Sequence, residues 1–271
     1  MGITEKASAL LKKFNNIKTL PHVAIRLSRL ISDKDSNIKE FEEVISLDPA
    51  LVLRILKLVN SSYYGLQEKL DNISRAIVFI GLKNLRNLVV IEALKDIFKG
   101  KSSNGVFSRK QLWFHCAAAS VLNRMISERI FGEKGEDAFL CGLLHDIGMM
   151  VEVQVAEDLF LKTCRAFQSH SKPFIEYERE IIGTDHPTVG YKLSRDWNLP
   201  ENIQIGIQQH HQVIEDVSPK SIAGTLQMSE FFLAKLDYCA LPGMAASLSP
   251  TLSKFIQENI SEFKILMRDF P

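Results

Sequence analysis

A chain of 271 residues with 46% hydrophobic side chains can bury one large core or two modest ones, which excludes wholesale disorder. Lysine and arginine (33) balance aspartate and glutamate (32) to a formal charge of +1, so the chain has no overall electrostatic footprint for nucleic acid or an anionic membrane. A basic cluster at Lys83–Arg86 is better read as a solvated helix face. The amino end, "MGITEKASALLKKF", mixes charges into its apolar residues and is no signal peptide. The longest stretch free of Asp, Glu, Lys and Arg, Tyr238–Ser253, is shorter than a membrane span and is broken by Pro242 and Pro250. Four cysteines (Cys116, Cys141, Cys164, Cys239) form no CxxC pair and read as reduced thiols of a cytoplasmic protein.

Nearly every periodic segment predicts helix. Val23, Ala24, Leu27, Leu30 and Ile31 follow the i, i+3, i+4 rhythm after Pro21. "DSNIKEFEEVISLD" repeats it, with Ser36 or Asn37 as cap. Asp48-Pro49 starts a helix, "ALVLRILKLVN", that is apolar almost all round and therefore expected at the centre of a bundle. "NSSYYG" ends it, with Gly65 free to turn left-handed. Asn72 or Ser74 opens the next helix, and Gly81 separates it from "LKNLRNLVVIEALKDIF". Residues 99–108, rich in Gly, Ser, Asn and Lys, read as a linker. Helices are then expected over about 109–131, 136–155, 156–170, 173–183, 187–198, 201–211 and 219–236, with one or two short ones to the end. No alternating strand pattern and no fixed-period repeat stands out, so the expected fold class is all-α, in two subdomains joined near residue 100.

Seven histidines need placing. His22, after Pro21, and His170, in a polar helix-to-loop junction, take structural readings. The other five each have a plain alternative. His115 suits a hydrogen-bonded core position, and His145-Asp146 a satisfied pair inside an apolar helix. Asp185 or His186 suits a helix cap, and His210-His211 a favourable helix C-terminus. Taken together they change meaning. Successive helices offer one imidazole, a His-Asp pair, another imidazole and a His pair, a donor mixture suited to Fe, Mn or Zn. Ligands drawn from several helices follow the logic of dinuclear bundle sites. Such a pair of ions would generate a hydroxide nucleophile near neutral pH, suited to a phosphoester.

With these residues the sequence resembles the HD superfamily of metal-dependent phosphohydrolases. The closer resemblance is to the HDOD family, the HD-related output domains of bacterial signalling proteins. It is carried by "LPHVAIRLSRLI" (20–31), "ISLDPALVLRILKLVNSSYYG" (45–65) and "ISRAIVFIGLKNLRNLVV" (73–90) as much as by His145-Asp146. The resemblance implies an N-terminal helical subdomain (1–100) packed on an HD-like helical bundle (109–240), and the residues beyond it read as a C-terminal helical extension (241–271). That extension would fold against the bundle or mediate self-association into a homo-oligomer. It further implies signalling in a bacterial cytoplasm through protein partners, and the charge balance points to neither nucleic acid nor membrane as a partner. HDOD domains are generally regarded as HD relatives that have lost ligands, yet this chain keeps the order seen in the HD-GYP branch. By that resemblance His115, His145 and Asp146 would serve a first divalent ion, with Asp146 bridging, and His186, His210 and His211 a second.

Four departures stand against full enzymatic equipment. The last carboxylate of the pattern should be Asp, and the nearest equivalent is Glu230, unless the position is lost to Ser229. Met149 replaces a lysine that would face substrate phosphate, forfeiting a charge-assisted contact. No Gly-Tyr-Pro follows His210-His211, and Gln111 stands where some trinuclear members carry a carboxylate. The expected function is therefore a regulatory interaction or output module with a partly kept HD-type metal site. The alternative is a phosphohydrolase or phosphodiesterase acting on a nucleotide or cyclic dinucleotide, with Asp146 central to catalysis. A third reading is a sensor in which iron occupancy changes subdomain packing.

Overall fold

The computed structural model describes residues 2–15, 23, 26–27, 30–31, 36–61, 65–98, 105–244 and 248–270. Among them the fold is all-α, with fifteen helices and no strand. Contacts divide the chain into two compact units, one of 19–97 with 197–200, the other of 1–18, 98–196 and 201–271.

In the first unit α2 (Ile38–Ser46), α3 (Pro49–Val59), α4 (Ile73–Ile80) and α5 (Leu82–Phe98) follow one another, while α1 (Ile3–Asn15) belongs to the second unit. Asn37 begins α2 with a capping box, its side chain accepting from Lys39 and Glu40 N–H while Glu40 reaches back to the Asn37 N–H. Asp48 caps α3 ahead of Pro49, and Asn72, rather than Ser74, caps α4. The expectation for α3 needs correction. Leu51, Ile55 and Val59 are buried, but Leu53 is 70% exposed, so α3 has one buried side rather than an all-round one. Arg86 also differs from expectation. It is fully buried, its guanidinium bonded to Asn87 Oδ1, so Lys83–Arg86 is no solvated face. In the 21–31 segment only residues 23, 26, 27, 30 and 31 are described, and they are helical; His22 lies outside the described residues.

The second unit is the larger bundle. Its α1 buries Ala7, Leu10, Leu11 and Phe14, a stripe with helical spacing. The sequence grouped this segment with residues 1–100, but its stripe packs on α8 (Ile147–Val155) and α11 (His186–Asp196). Residues 99–104 of the expected linker lie outside the described residues, and Ser108 caps α6 (Arg109–Arg129). Then come α7 (Glu136–Leu144), α9 (Glu157–Phe167), α10 (Phe174–Ile181), α12 (Glu201–Gln209) and α13 (Ile222–Lys235). The helix expected over 136–155 is two helices, broken at His145-Asp146, where Asp146 adopts φ −97°, ψ 12°. The last two helices, α14 (Pro250–Glu258) and α15 (Ile260–Arg268), are part of this bundle. Leu252, Ile256, Phe263 and Leu266 share a buried cluster with Leu122, Ile126, Met228 and Leu233 of α6 and α13. The segment Glu136–Val155 is apolar and long enough to cross a membrane by composition alone, but 83% of its apolar window is buried inside the bundle.

Two glycines set the helix spacing around the break. A Cβ on Gly142 would lie 2.7 Å from Ala119 O, so only glycine lets α7 approach α6 so closely. A Cβ on Gly148 would lie 2.1 Å from His186 O, which brings the start of α8 onto the start of α11. These contacts carry His145 toward His115 and Asp146 toward His186.

Candidate metal centre

Asp146 is the meeting point of two donor sets. Its Oδ2 lies 3.3 Å from Nε2 of both His115 and His145, and Oε1 of Glu230 lies 3.4 and 3.5 Å from the same nitrogens. Its Oδ1 lies 3.3 Å from His186 Nε2 and 3.4 Å from His210 Nε2, and His211 completes this second set. The first set is drawn from α6, the α7–α8 junction and α13; the second from the start of α11 and the turn after α12. Had 136–155 been one straight helix, consecutive residues would point about 100° apart. The break at Asp146 lets neighbours serve one centre.

Backbone carbonyls fix the imidazole tautomers. Nδ1 of His115 donates to Tyr238 O (2.6 Å), that of His145 to Gly142 O (2.8 Å), and that of His210 to Ile207 O (2.7 Å). A carbonyl only accepts, so the proton sits on Nδ1 and the Nε2 lone pair faces Asp146. His186 Nδ1 instead donates to Glu178, 2.7 and 2.9 Å from its two oxygens. Carbonyl and carboxylate partners of this kind orient histidines that ligate metals. Glu178 is not among the candidates the sequence offers.

The residues present fit a pair of cations. Nε2 of His115 and His145 stand 3.0 Å apart, and those of His186 and His210 3.3 Å apart. With both Nδ1 positions protonated, two facing lone pairs cannot bond each other unless positive charge lies between them. Both oxygens of Asp146, Oε1 of Glu230 and Nε2 of His211 are buried without a hydrogen-bond partner, which is costly for polar groups unless something else satisfies them. The electrostatics have the same sense. Burial opposes charge on His115, yet Glu230 and Asp146 hold it well above its ordinary value. Burial likewise opposes charge on His186, but Glu178 and Asp146 push it up to about 10. Burial works against the Asp146 carboxylate as well, and the surrounding imidazoles still keep it well below the usual range. His211 goes the other way: burial, then the charges of His210 and His186, hold it neutral. The raised values mark a surplus of negative charge around His115 and His186, which a divalent ion would balance in place of the proton, and the neutral His211 imidazole is a ligand as it stands.

Every residue singled out for the metal, His115, His145, Asp146, His186, His210, His211 and Glu230, is brought into this cluster. The choice between Ser229 and Glu230 falls to Glu230, because the Ser229 hydroxyl donates to Thr225 O in its own helix. Asp185, not His186, caps α11, its Oδ1 accepting from Thr188 N–H at 2.8 Å. Gln111 donates to Cys239 O at 3.2 Å and supplies no donor atom to the centre. Met149 is fully buried. His170 stands apart in the α9–α10 junction with φ 49°. A void of about 10 Å³ is bounded by His115, His211, Glu230, Cys239 and Met244. Beyond it a cleft of about 480 Å³ shares His211 and Met244 and runs along Phe167, His170, Lys172 and Phe174.

This is a helical bundle with an HD-type His/Asp cluster at its core. The chain matches the HDOD domain over residues 17–213 and belongs to the HDOD family. It is 26% identical over 212 residues to an uncharacterised protein of Treponema pallidum (strain Nichols), covering 78% of this chain and 40% of that protein. The chain thus spans well under half the length of that relative. Among solved structures it is similar to a Shewanella amazonensis SB2B protein described as a "Putative phosphohydrolase" (27% identity, TM-score 0.66, covering 85% of this chain and 82% of that one). It is also similar to an HDOD domain protein of unknown function from Geobacter sulfurreducens (26% identity, TM-score 0.68, covering 97% and 88%).

Proposed function

We propose that the chain is a metal-holding regulatory module of the HDOD family, with two divalent ions of Fe, Mn or Zn seated on either side of Asp146. It would transmit a signal through protein partners in a bacterial cytoplasm. The observation that carries this reading is the closure of the centre. Seven donors converge, and the void bounded by His115, His211 and Glu230 holds about 10 Å³, near that of a single water. Structural metal sites are closed in this way, whereas catalytic ones keep a position open. Met149, where a lysine would face phosphate, and the absent Gly-Tyr-Pro support the same reading. Elemental analysis of the gently purified full chain should return about two metal equivalents. Near-zero content would sink the proposal.

A second reading, phosphoester hydrolysis, is favoured by one observation: the cleft of about 480 Å³ adjoins the cluster at His211, with Met244 between it and the inner void. Ions bound there would supply Lewis acidity toward a phosphoryl oxygen. The chain's own part would be to hold Asp146 ionised, keep His211 neutral at the cleft wall, and exclude water with Met244. Metal-reconstituted protein assayed with an aryl phosphodiester and cyclic dinucleotides separates the readings. Turnover that vanishes in Asp146→Ala would replace the regulatory module with an enzyme, and silence would leave the closed centre in place.

A further inference from the structure

The histidines of the centre are held in two different ways. The rings of His115, His145 and His210 are fixed by backbone carbonyls and that of His186 by Glu178. No hydrogen bond fixes the His211 ring among the described residues, and its Nε2 is buried without a partner. Where this ring points therefore depends on its backbone. His210 and His211 are the two central residues of a turn that closes through Gln212 N–H to Gln209 O (2.9 Å). Gln227, on α13 and 1% exposed, holds both ends of that turn. Its Nε2 donates to Gln209 O at 2.8 Å and to Gln212 O at 2.9 Å. Both partners are carbonyls, so the nitrogen and not Oε1 must face them, and both N–H groups of the amide are engaged there. Oε1 is left buried without a partner, so nothing else on the side chain competes with these two bonds.

We propose that Gln227 is a positioning residue of the second donor set: its amide clamps the turn at Gln209 and Gln212 and so aims the His211 ring at the second ion. It bonds to neither imidazole and acts through the backbone on either side of them. Without the clamp the turn keeps Gln212 N–H to Gln209 O and an exposed bond from Gln212 Nε2 to Gln208 O at 3.2 Å. His210 retains its own tether, Nδ1 to Ile207 O, and His211 retains none, so the loss falls on His211. Gln227 also lies three residues before Glu230, on the same side of α13. The helix that gives a carboxylate to the first set thus holds the turn of the second. The aim at an ion rests on the two-ion reading, whereas the clamp on the turn does not.

The test uses the full chain as wild type, Gln227→Met and, as a control, Met228→Ala. Methionine keeps the length and bulk at position 227 without a donor, whereas M228A cuts a fully buried neighbour on the same helix and leaves the clamp intact. In the metal-free protein with isotope-labelled histidines, Q227M should shift or broaden the nuclear magnetic resonance signals of the His211 ring and leave those of His115 and His145 in place. M228A should lower the urea midpoint and leave the His211 signals alone. In a chelator competition Q227M should weaken the second ion by about tenfold or more and spare the first, and M228A should show no such split. Unmoved His211 signals in Q227M overturn the clamp, as does the same shift in M228A. Q227M with wild-type affinity for the second ion, or with equal loss of both ions, overturns the positioning role. Should Q227M not fold, the wild type decides. The Nε2 protons of Gln227 should exchange with solvent about tenfold or more slower than those of the exposed Gln257, and equal exchange overturns the proposal. A wild type that takes up no metal defeats the two-ion reading alone, and the ring signals still decide the clamp.

Discussion

Replacing Gly148 with alanine tests whether close helix approach builds the centre. The added Cβ would lie 2.1 Å from His186 O, and ordinary contact begins at 3.4 Å, so the two backbones must part by about 1.3 Å. Alanine gains about 0.5–1 kcal/mol of helix propensity over glycine. Overpacking costs about 1–3 kcal/mol, and a backbone carbonyl cannot swing aside as a side chain does, which puts this site at the upper end. The net expectation is destabilisation by about 2 kcal/mol, read from urea denaturation of the metal-free chain. Metal binding should suffer more than folding does. Metal–ligand distances tolerate only about 0.2 Å, and the required shift separates His186 from Asp146, which start 3.3 Å apart across the second set. Loss of the second ion with a folded protein is therefore expected. A G148A protein of wild-type stability that still carries both ions would refute the argument from close approach.

The two donor sets should be separable by mutation. His115→Ala should remove the first ion alone, His211→Ala the second alone, and Asp146→Ala both, with elemental analysis as the readout; equal losses in all three would deny the bridging role of Asp146. Met149→Lys places an ammonium at a fully buried position, and its expected cost is about 3–5 kcal/mol in urea denaturation. Wild-type stability in that variant would mean that position 149 has a path to solvent. In the metal-free chain, burial lowers His186 but Glu178 and Asp146 raise it to about 10 from 6.5. A raised folded value gives stability that is complete below about pH 6.5 and is lost as pH climbs toward 10. His186→Gln should flatten that part of the stability–pH curve, and an unchanged slope would show that the ring does not titrate there.

The histidines were legible because an imidazole in an apolar helix is rare and needs a partner, so five of them in order across successive helices already suggest one centre. The break at His145-Asp146 was not legible. Both α7 and α8 are buried on nearly every side, so the apolar run passes through residue 145 without a change of phase. The place of α1 was hidden for a related reason: Ala7, Leu10, Leu11 and Phe14 announce a buried face but carry no record of what covers it. The atoms that fix the tautomers, the carbonyls of Gly142, Ile207 and Tyr238, belong to the backbone and have no residue signature.

The glutamates divide instructively. Glu178 lies in "FIEYEREI", among acids that decorate an exposed face, and nothing in that pattern marks it. Glu230 is the converse case. The pattern called for an aspartate, and the adjacent Ser229 offered a way for the position to be lost. Ser229 turns back to Thr225 O, and the longer arm of Glu230 reaches to 3.4 and 3.5 Å from the nitrogens that Asp146 meets at 3.3 Å. The extra methylene thus lets Glu230 bring a second carboxylate to the two nitrogens of the first donor set.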